Sequence, residues 1–164
     1  MIYTGIGARK TPKNILNLMF NIGIKMSSLG HTLRSGGAAG ADKAFENGCK
    51  SASGTKKIFF ASDVNNRPDA IDLALSYHGA PHLCSTYAQK LHGRNSFQIL
   101  GINLDSPSDG VICWTPDGCV NHESRTIKTG GTGTAISIAS TRQIKIWNLS
   151  RPEHFDRWVT WLKS

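Results

Sequence analysis

Short apolar blocks alternate with longer segments of helical spacing along this chain. The blocks predict strands at residues 1–6, 31–35, 57–61, 110–114 and 144–149. In the segment 11–30, Ile15, Leu18 and Ile22 recur three or four positions apart, which predicts a buried helix face. Further helices are predicted at residues 40–49, 68–77, 85–101, 134–142 and 152–162. The alternation indicates an α/β fold, a single Rossmann-like domain with a mainly parallel sheet of about five strands and helices on both faces.

Local signals refine two of these elements. Thr11 followed by Pro12 predicts a hydroxyl N-cap with proline at the first helical position. The third strand has a continuous apolar centre, which is typical of a strand covered on both faces of a sheet.

The bulk composition describes an ordinary globular protein. The chain has 164 residues, 39% of them hydrophobic and 18% charged, which fits one domain over residues 1–164. No apolar run is long enough to cross a bilayer, and the first residues have neither the basic nor the apolar region of a signal peptide. We therefore expect a cytoplasmic protein with no membrane partner.

The four cysteines form no CxxC pair, which favours unpaired thiols in a reducing compartment. Two groups have the side chains of a metal site: Cys113 with Cys119 and His122, and His78 with His82 and Cys84. Neither group has a standard zinc spacing, so we predict no metal and no other cofactor.

The net charge of +8 favours polyanionic partners, either nucleic acid or nucleotide phosphates. The basic residues are scattered along the chain, so the charge alone does not choose between a polymer and a small ligand.

Three glycine-rich turns each separate a predicted strand from a helix, at residues 4–9, 34–42 and 129–134. Glycine lets a ligand approach the backbone closely, and a helix that begins after such a turn directs N–H groups at the ligand, which suits phosphate. The turns supply these candidate ligand-binding residues: Gly5, Gly7, Arg9, Arg34, Ser35, Gly36, Gly37, Gly40, Asp42, Gly130, Gly131, Thr132, Gly133 and Thr134.

We assign roles to some of these residues. Gly37 and Gly133 are expected where the backbone approaches a phosphate most closely. The phosphate partners are expected to be Arg9, Arg34 and Arg94, and the hydroxyl donors Ser35, Thr132 and Thr134. Asp42, in the first turn of a helix, either interacts with the helix N-terminus or holds a ribose hydroxyl.

Two further segments contain candidate ligand-binding residues. Residues 92–98 are expected to open a helix on which Arg94, Asn95 and Gln98 share a face, and amide side chains can pair with the edge of a base. Trp114 follows the fourth strand, where it either stacks on a base or packs in the core.

The turn Thr4-Gly5-Ile6-Gly7-Ala8-Arg9 with Thr11-Pro12, and then the run from Leu33 to Asp42, resemble the DNA-processing protein A family. More broadly the chain resembles the SLOG superfamily, which includes the Lonely Guy phosphoribohydrolases, and the resemblance covers most of the chain. It implies a Rossmann-like fold that binds nucleotides, nucleotide-derived signals or single-stranded DNA. Some members cleave the N-glycosidic bond of nucleoside monophosphates.

The chain departs from the PGGxGTxxE motif of the Lonely Guy enzymes. Thr129 stands in place of the proline and Ser137 in place of the catalytic glutamate. Serine cannot move a proton near neutral pH as a carboxylate can. If the protein is an enzyme, we expect Asp42 or Glu123 to replace that glutamate, with Asp42 ionised at its helix N-terminus and Glu123 on a loop that closes over a ligand.

The sequence therefore predicts a protein that binds a nucleotide, a nucleotide-derived ligand or single-stranded DNA between its three glycine turns. The alternative is a nucleotide N-glycosidase with a relocated carboxylate. Whether the chain forms a homo-oligomer stays open.

Overall fold

The computed structural model describes residues 1–164 and contains one sheet of five parallel strands. The strands are β1 (Ile2–Gly5), β2 (Thr32–Ser35), β3 (Lys56–Ile58), β4 (Gly110–Cys113) and β5 (Lys145–Asn148). The helices are α1 (Lys13–Ser28), α2 (Ala41–Ser51), α3 (Pro68–Leu75), α4 (Thr86–Leu100), α5 (Thr132–Thr141) and α6 (Pro152–Lys163). The α/β fold predicted from the sequence is confirmed.

The strand order is β3-β2-β1-β4-β5, so the chain begins in the middle of the sheet and returns there with β4. One face is covered by α1, α2 and α6, and its core includes Met19, Leu33 and Phe45. The other face is covered by α3, α4 and α5, with Ile99, Val111 and Ile136 in its core. None of the helices is both long enough and apolar enough to cross a membrane.

Two local predictions are wrong. The Thr11 hydroxyl donates to the carbonyl of Ala8 at 2.6 Å instead of capping α1, and Pro12 occupies the N-cap position. The third strand is an edge strand that ends at Ile58, and Phe60 is about half exposed. The Phe60 N–H donates to the Asp63 carboxylate at 2.7 Å instead of to a neighbouring strand. A short 3₁₀ helix, Ala61–Val64, follows, so the strand does not continue.

Candidate functional site

A cleft of about 490 Å³ opens at the carboxyl ends of β1 and β4. These adjacent strands lead to helices on opposite faces of the sheet, because α1 follows β1 and α5 follows β4. Such a point of divergence leaves a crevice where α/β proteins commonly bind ligands. One wall is the loop after β1, another is the loop between β4 and α5, and the cleft-facing side of α4 closes the space.

The structure brings ten of the sequence-predicted residues to this cleft. They are Gly7, Arg9, Asp42, Arg94, Asn95, Gln98, Trp114, Gly130, Gly131 and Thr132. The prediction that Arg94, Asn95 and Gln98 share a face agrees with this placement. Their segment lies in the interior of α4 and does not open the helix.

Arg34, which the sequence predicts as a phosphate partner, does not line the cleft. It is 2% exposed, and its guanidinium donates to the carbonyls of Ser106 at 2.5 Å and Ile99 at 3.4 Å. Arg34 therefore ties β2 to the segment that follows α4.

The hydroxyls of Ser35 and Thr134 are also used inside the protein. Ser35 Oγ donates to the Gly5 carbonyl at 2.6 Å, which joins β2 to β1. Thr134 is fully buried, and its hydroxyl lies 3.0 Å from His92 Nδ1 on α4. Of the three predicted hydroxyl donors, only Thr132 lines the cleft.

Several turn glycines lie behind the cleft wall, where they allow close packing within the protein. Gly5 packs on the Phe45 ring, and Gly40 packs on the backbone of Ala8 and Arg9. A Cβ at Gly37 would lie 3.0 Å from Ile58, and one at Gly133 would lie 2.6 Å from Arg125 Nε. Gly36, Gly37 and Gly133 do not line the cleft, so the expected close approach of Gly37 and Gly133 to a phosphate is not supported by their positions.

Asp42 joins two of the glycine turns. Its Oδ1 accepts the Gly7 N–H at 3.2 Å, and its Oδ2 accepts the N–H groups of Gly36 at 3.2 Å and Ala38 at 3.4 Å. Burial raises the pKa of Asp42 to about 6, although the Arg94 guanidinium and the three N–H groups act in the opposite direction. Asp42 is therefore mostly ionised at pH 7, but less strongly than its helix-terminal position predicted.

Positive charge surrounds the cleft. Arg9, Lys10, Arg94 and Lys128 line it, whereas Asp42 is its only carboxylate. Arg94 Nη1 donates to the Gly36 carbonyl at 2.9 Å, and the buried Arg94 Nε has no hydrogen-bond partner. Burial lowers the pKa of Arg94 and the charge of Asp42 opposes that shift, so the pair favours an ionised guanidinium.

Backbone donors add to this positive field. The N–H groups of Arg9 and Lys10 in the loop after β1 donate to no group of the protein. The same holds for Gly130, Gly131 and Thr132, where α5 begins. Two loops on opposite walls therefore present unpaired N–H groups together with cationic side chains, an arrangement suited to phosphate oxygens.

Sequence reasoning missed several cleft residues, among them Lys10, Leu91 and Lys128. Lys10 directly follows the first glycine turn and Lys128 directly precedes the third. This position beside a turn was the only feature of the sequence that could have indicated them as cleft residues. Whether Leu91 faces the cleft depends on which side of α4 packs against the sheet.

Glu123 lies on the exposed part of the loop between β4 and α5, and it does not line the cleft. Ser137, which stands in place of the family glutamate, is fully buried. Its hydroxyl accepts a hydrogen bond from Arg125 Nη1 at 3.0 Å and lies 2.7 Å from His122 Nδ1. Asp42 is thus the carboxylate that the structure brings to the cleft.

Beside the cleft, His78, Cys84 and His92 bring their ligand atoms within 4.8 Å of one another. This differs from both groups considered from the sequence, because His92 takes the place of His82. The Ala80 N–H donates to His78 Nδ1 at 3.0 Å, which puts the ring proton on Nε2, 3.5 Å from Cys84 Sγ. A protonated Nε2 offers no lone pair to a metal. A hydrogen bond joins His78 to Cys84, whereas His92 Nδ1 lies 3.0 Å from the Thr134 hydroxyl.

Burial, with smaller contributions from His78 and Arg125, lowers the pKa of His92 to about 4. The His92 ring is therefore neutral at pH 7 and adds no charge to the cleft.

No family model, no curated protein and no solved structure matches this chain. Its function is therefore inferred from the residues of the cleft.

Proposed function

We propose that this protein binds a phosphorylated nucleoside or a nucleotide-derived signal in the cleft between β1 and β4. The observation that carries the proposal is the convergence of four cationic side chains and two sets of unpaired backbone N–H groups on one cavity. The strand order and the turn motifs support a further proposal, that the chain is a distant relative of the SLOG superfamily.

The dimensions of the site favour a ligand of nucleotide size. A cavity of about 490 Å³ lies within the usual range for small-molecule sites, and Ile6, Leu91 and Trp114 give it apolar surface for a planar base. Single-stranded DNA is the alternative ligand, since most of the basic residues behind the net charge of +8 lie outside the cleft.

A side chain placed at Gly131 should block binding without disturbing the fold. Gly131 lines the cleft, has φ −62° and ψ −27°, and a Cβ added there would have no atom within 4 Å. We therefore expect Gly131→Val to weaken binding of nucleoside 5′-monophosphates at least tenfold, with a melting temperature within about 2 °C of the wild type. Isothermal titration calorimetry and thermal unfolding measure both quantities.

Gly79→Val is the matched control, because Gly79 also has open space around it and lies outside the cleft. Equal affinity in the wild type and a folded Gly131→Val variant would contradict the proposed site. An oligonucleotide that binds where mononucleotides do not, with an affinity that falls steeply with salt, would favour the single-stranded DNA alternative.

The second candidate function is cleavage of a nucleotide N-glycosidic bond. The observation in its favour is Asp42, a buried carboxylate on the cleft wall whose pKa of about 6 is close to neutrality. Against it, Asp42 already accepts three backbone N–H groups, and Glu123 lies outside the cleft. The geometry therefore favours binding over catalysis.

We expect no release of free base when the protein is incubated with nucleoside 5′-monophosphates, because no second carboxylate lines the cleft to share the proton transfers with Asp42. Chromatography of the reaction mixture measures free base against a protein-free control. Base release by the wild type that disappears in Asp42→Asn would overturn the binding interpretation, and release that disappears only in Glu123→Gln would identify a loop that closes over the cleft.

A further inference from the structure

Gln98 is a buried polar residue whose side chain has no partner in the protein. It is 1% exposed, and the hydroxyls of Thr4 and Ser108 donate to its backbone carbonyl, so its carboxamide is left without a hydrogen-bond partner. Buried polar atoms are nearly always paired, so an exception calls for an explanation. Gln98 lines the cleft, where a bound ligand can supply the missing partner.

The surroundings of Gln98 distinguish two parts of the cleft. A Cβ added to Gly36 would meet Gln98 Nε2, Asp42 Oδ2 and the Arg94 guanidinium, so these three groups converge behind Gly36 and are largely buried. Arg9, Lys10 and Lys128 are exposed cations. The cavity therefore has a buried floor rich in donors and acceptors and an exposed cationic mouth.

The neighbouring residue Asn95 adds a second carboxamide to the floor of the cleft. Its Nδ2 donates to the Gly131 carbonyl at 3.2 Å, which fixes the orientation of the amide and leaves Oδ1 as an acceptor without a partner. A carboxamide offers a donor and an acceptor side by side, which matches the edge of a nucleobase. A phosphate requires donors only, so it fits the mouth better than the floor.

We propose that Gln98 reads the hydrogen-bonding edge of a nucleobase on the floor of the cleft, while the phosphate binds at the cationic mouth. This inference rests on the proposed function and assigns base selectivity to one residue. Its ligand class is a nucleoside phosphate with a donor and an acceptor adjacent on its base edge.

The test compares Gln98→Met with the wild type by calorimetry. Methionine has nearly the length of glutamine and removes both the donor and the acceptor. The probes are the four common nucleoside 5′-monophosphates and ribose 5-phosphate, which lacks a base. We expect Gln98→Met to weaken the best nucleotide about ten- to a hundredfold and to reduce the differences among the four bases, with ribose 5-phosphate binding unchanged.

Gln89→Met is the matched control, because Gln89 lies on the same helix, outside the cleft, and donates to the Cys84 carbonyl. It should leave all affinities as in the wild type. Nucleotide affinity that is unchanged in Gln98→Met, or weakened equally for ribose 5-phosphate, would overturn the role of Gln98. Failure of the proposed function gives a different result, since the wild type would then bind none of the five probes.

Discussion

Asp42→Ala is expected to lower the free energy of unfolding by about 2 kcal/mol at pH 7. The substitution removes the acceptor of three N–H groups, those of Gly7, Gly36 and Ala38, and so disconnects the turns after β1 and β2. Relief of a buried charge and access of water from the cleft offset part of the loss. For a domain of this size, the expected decrease in melting temperature is roughly 4–8 °C.

The effect of Asp42→Ala should depend on pH in a defined direction. Burial raises the pKa of Asp42 in the folded protein from 3.8 to about 6, so the folded state holds this proton more tightly than the unfolded state. The stabilising contribution of that proton is complete below the unfolded pKa and is lost as the pH rises through the folded one. The variant lacks this contribution. Its free energy of unfolding should therefore fall further below that of the wild type at pH 5, by about 3 kcal/mol, than at pH 7.

Denaturant unfolding of both proteins at pH 5, 6 and 7 measures this dependence. Asp156→Ala is the control, since the exposed side chain of Asp156 makes no ion pair. This substitution should change the free energy of unfolding by less than about 0.5 kcal/mol. A deficit for Asp42→Ala that grows from pH 5 to pH 7 would contradict the raised pKa.

Gly48→Ala is expected to destabilise the protein by about 3 kcal/mol, because α1 and α2 cross in contact at this position. A Cβ at Gly48 would overlap the carbonyl oxygen of Phe20, and one at Gly23 on the facing helix would lie 2.8 Å from the Phe45 carbonyl oxygen. A backbone carbonyl cannot rotate away as a side chain can, so the helices must separate. The loss exceeds the gain of about 1 kcal/mol in helix propensity that alanine normally brings.

Asn47→Ala provides the comparison, since Asn47 is an exposed neighbour on the same helix and alanine brings only its propensity there. Thermal and denaturant unfolding should show Gly48→Ala well below the wild type and Asn47→Ala at or above it. Similar stability in all three proteins would mean that the helices separate without loss of packing energy.

Local patterns in the sequence were sufficient to predict the fold class. The apolar blocks and the helical spacing of residues such as Ile15, Leu18 and Ile22 placed all five strands and six helices within a few residues of their positions. This succeeded because burial of one helix face, or of a strand between two layers, requires a period that is visible in the chain itself. The glycine turns likewise indicated the edge of the sheet where the cleft lies.

The tertiary structure alone decided which turn residues face the cleft. Arg34 looked like a phosphate partner, but its guanidinium bonds to Ser106, 72 positions later in the chain. Lys128 reaches the cleft because β4 returns to the middle of the sheet beside β1. The unpaired carboxamide of Gln98 could be recognised only after every neighbouring donor and acceptor had been located. Periodicity determines that a side chain is buried, whereas its partners depend on contacts between segments that are distant in sequence.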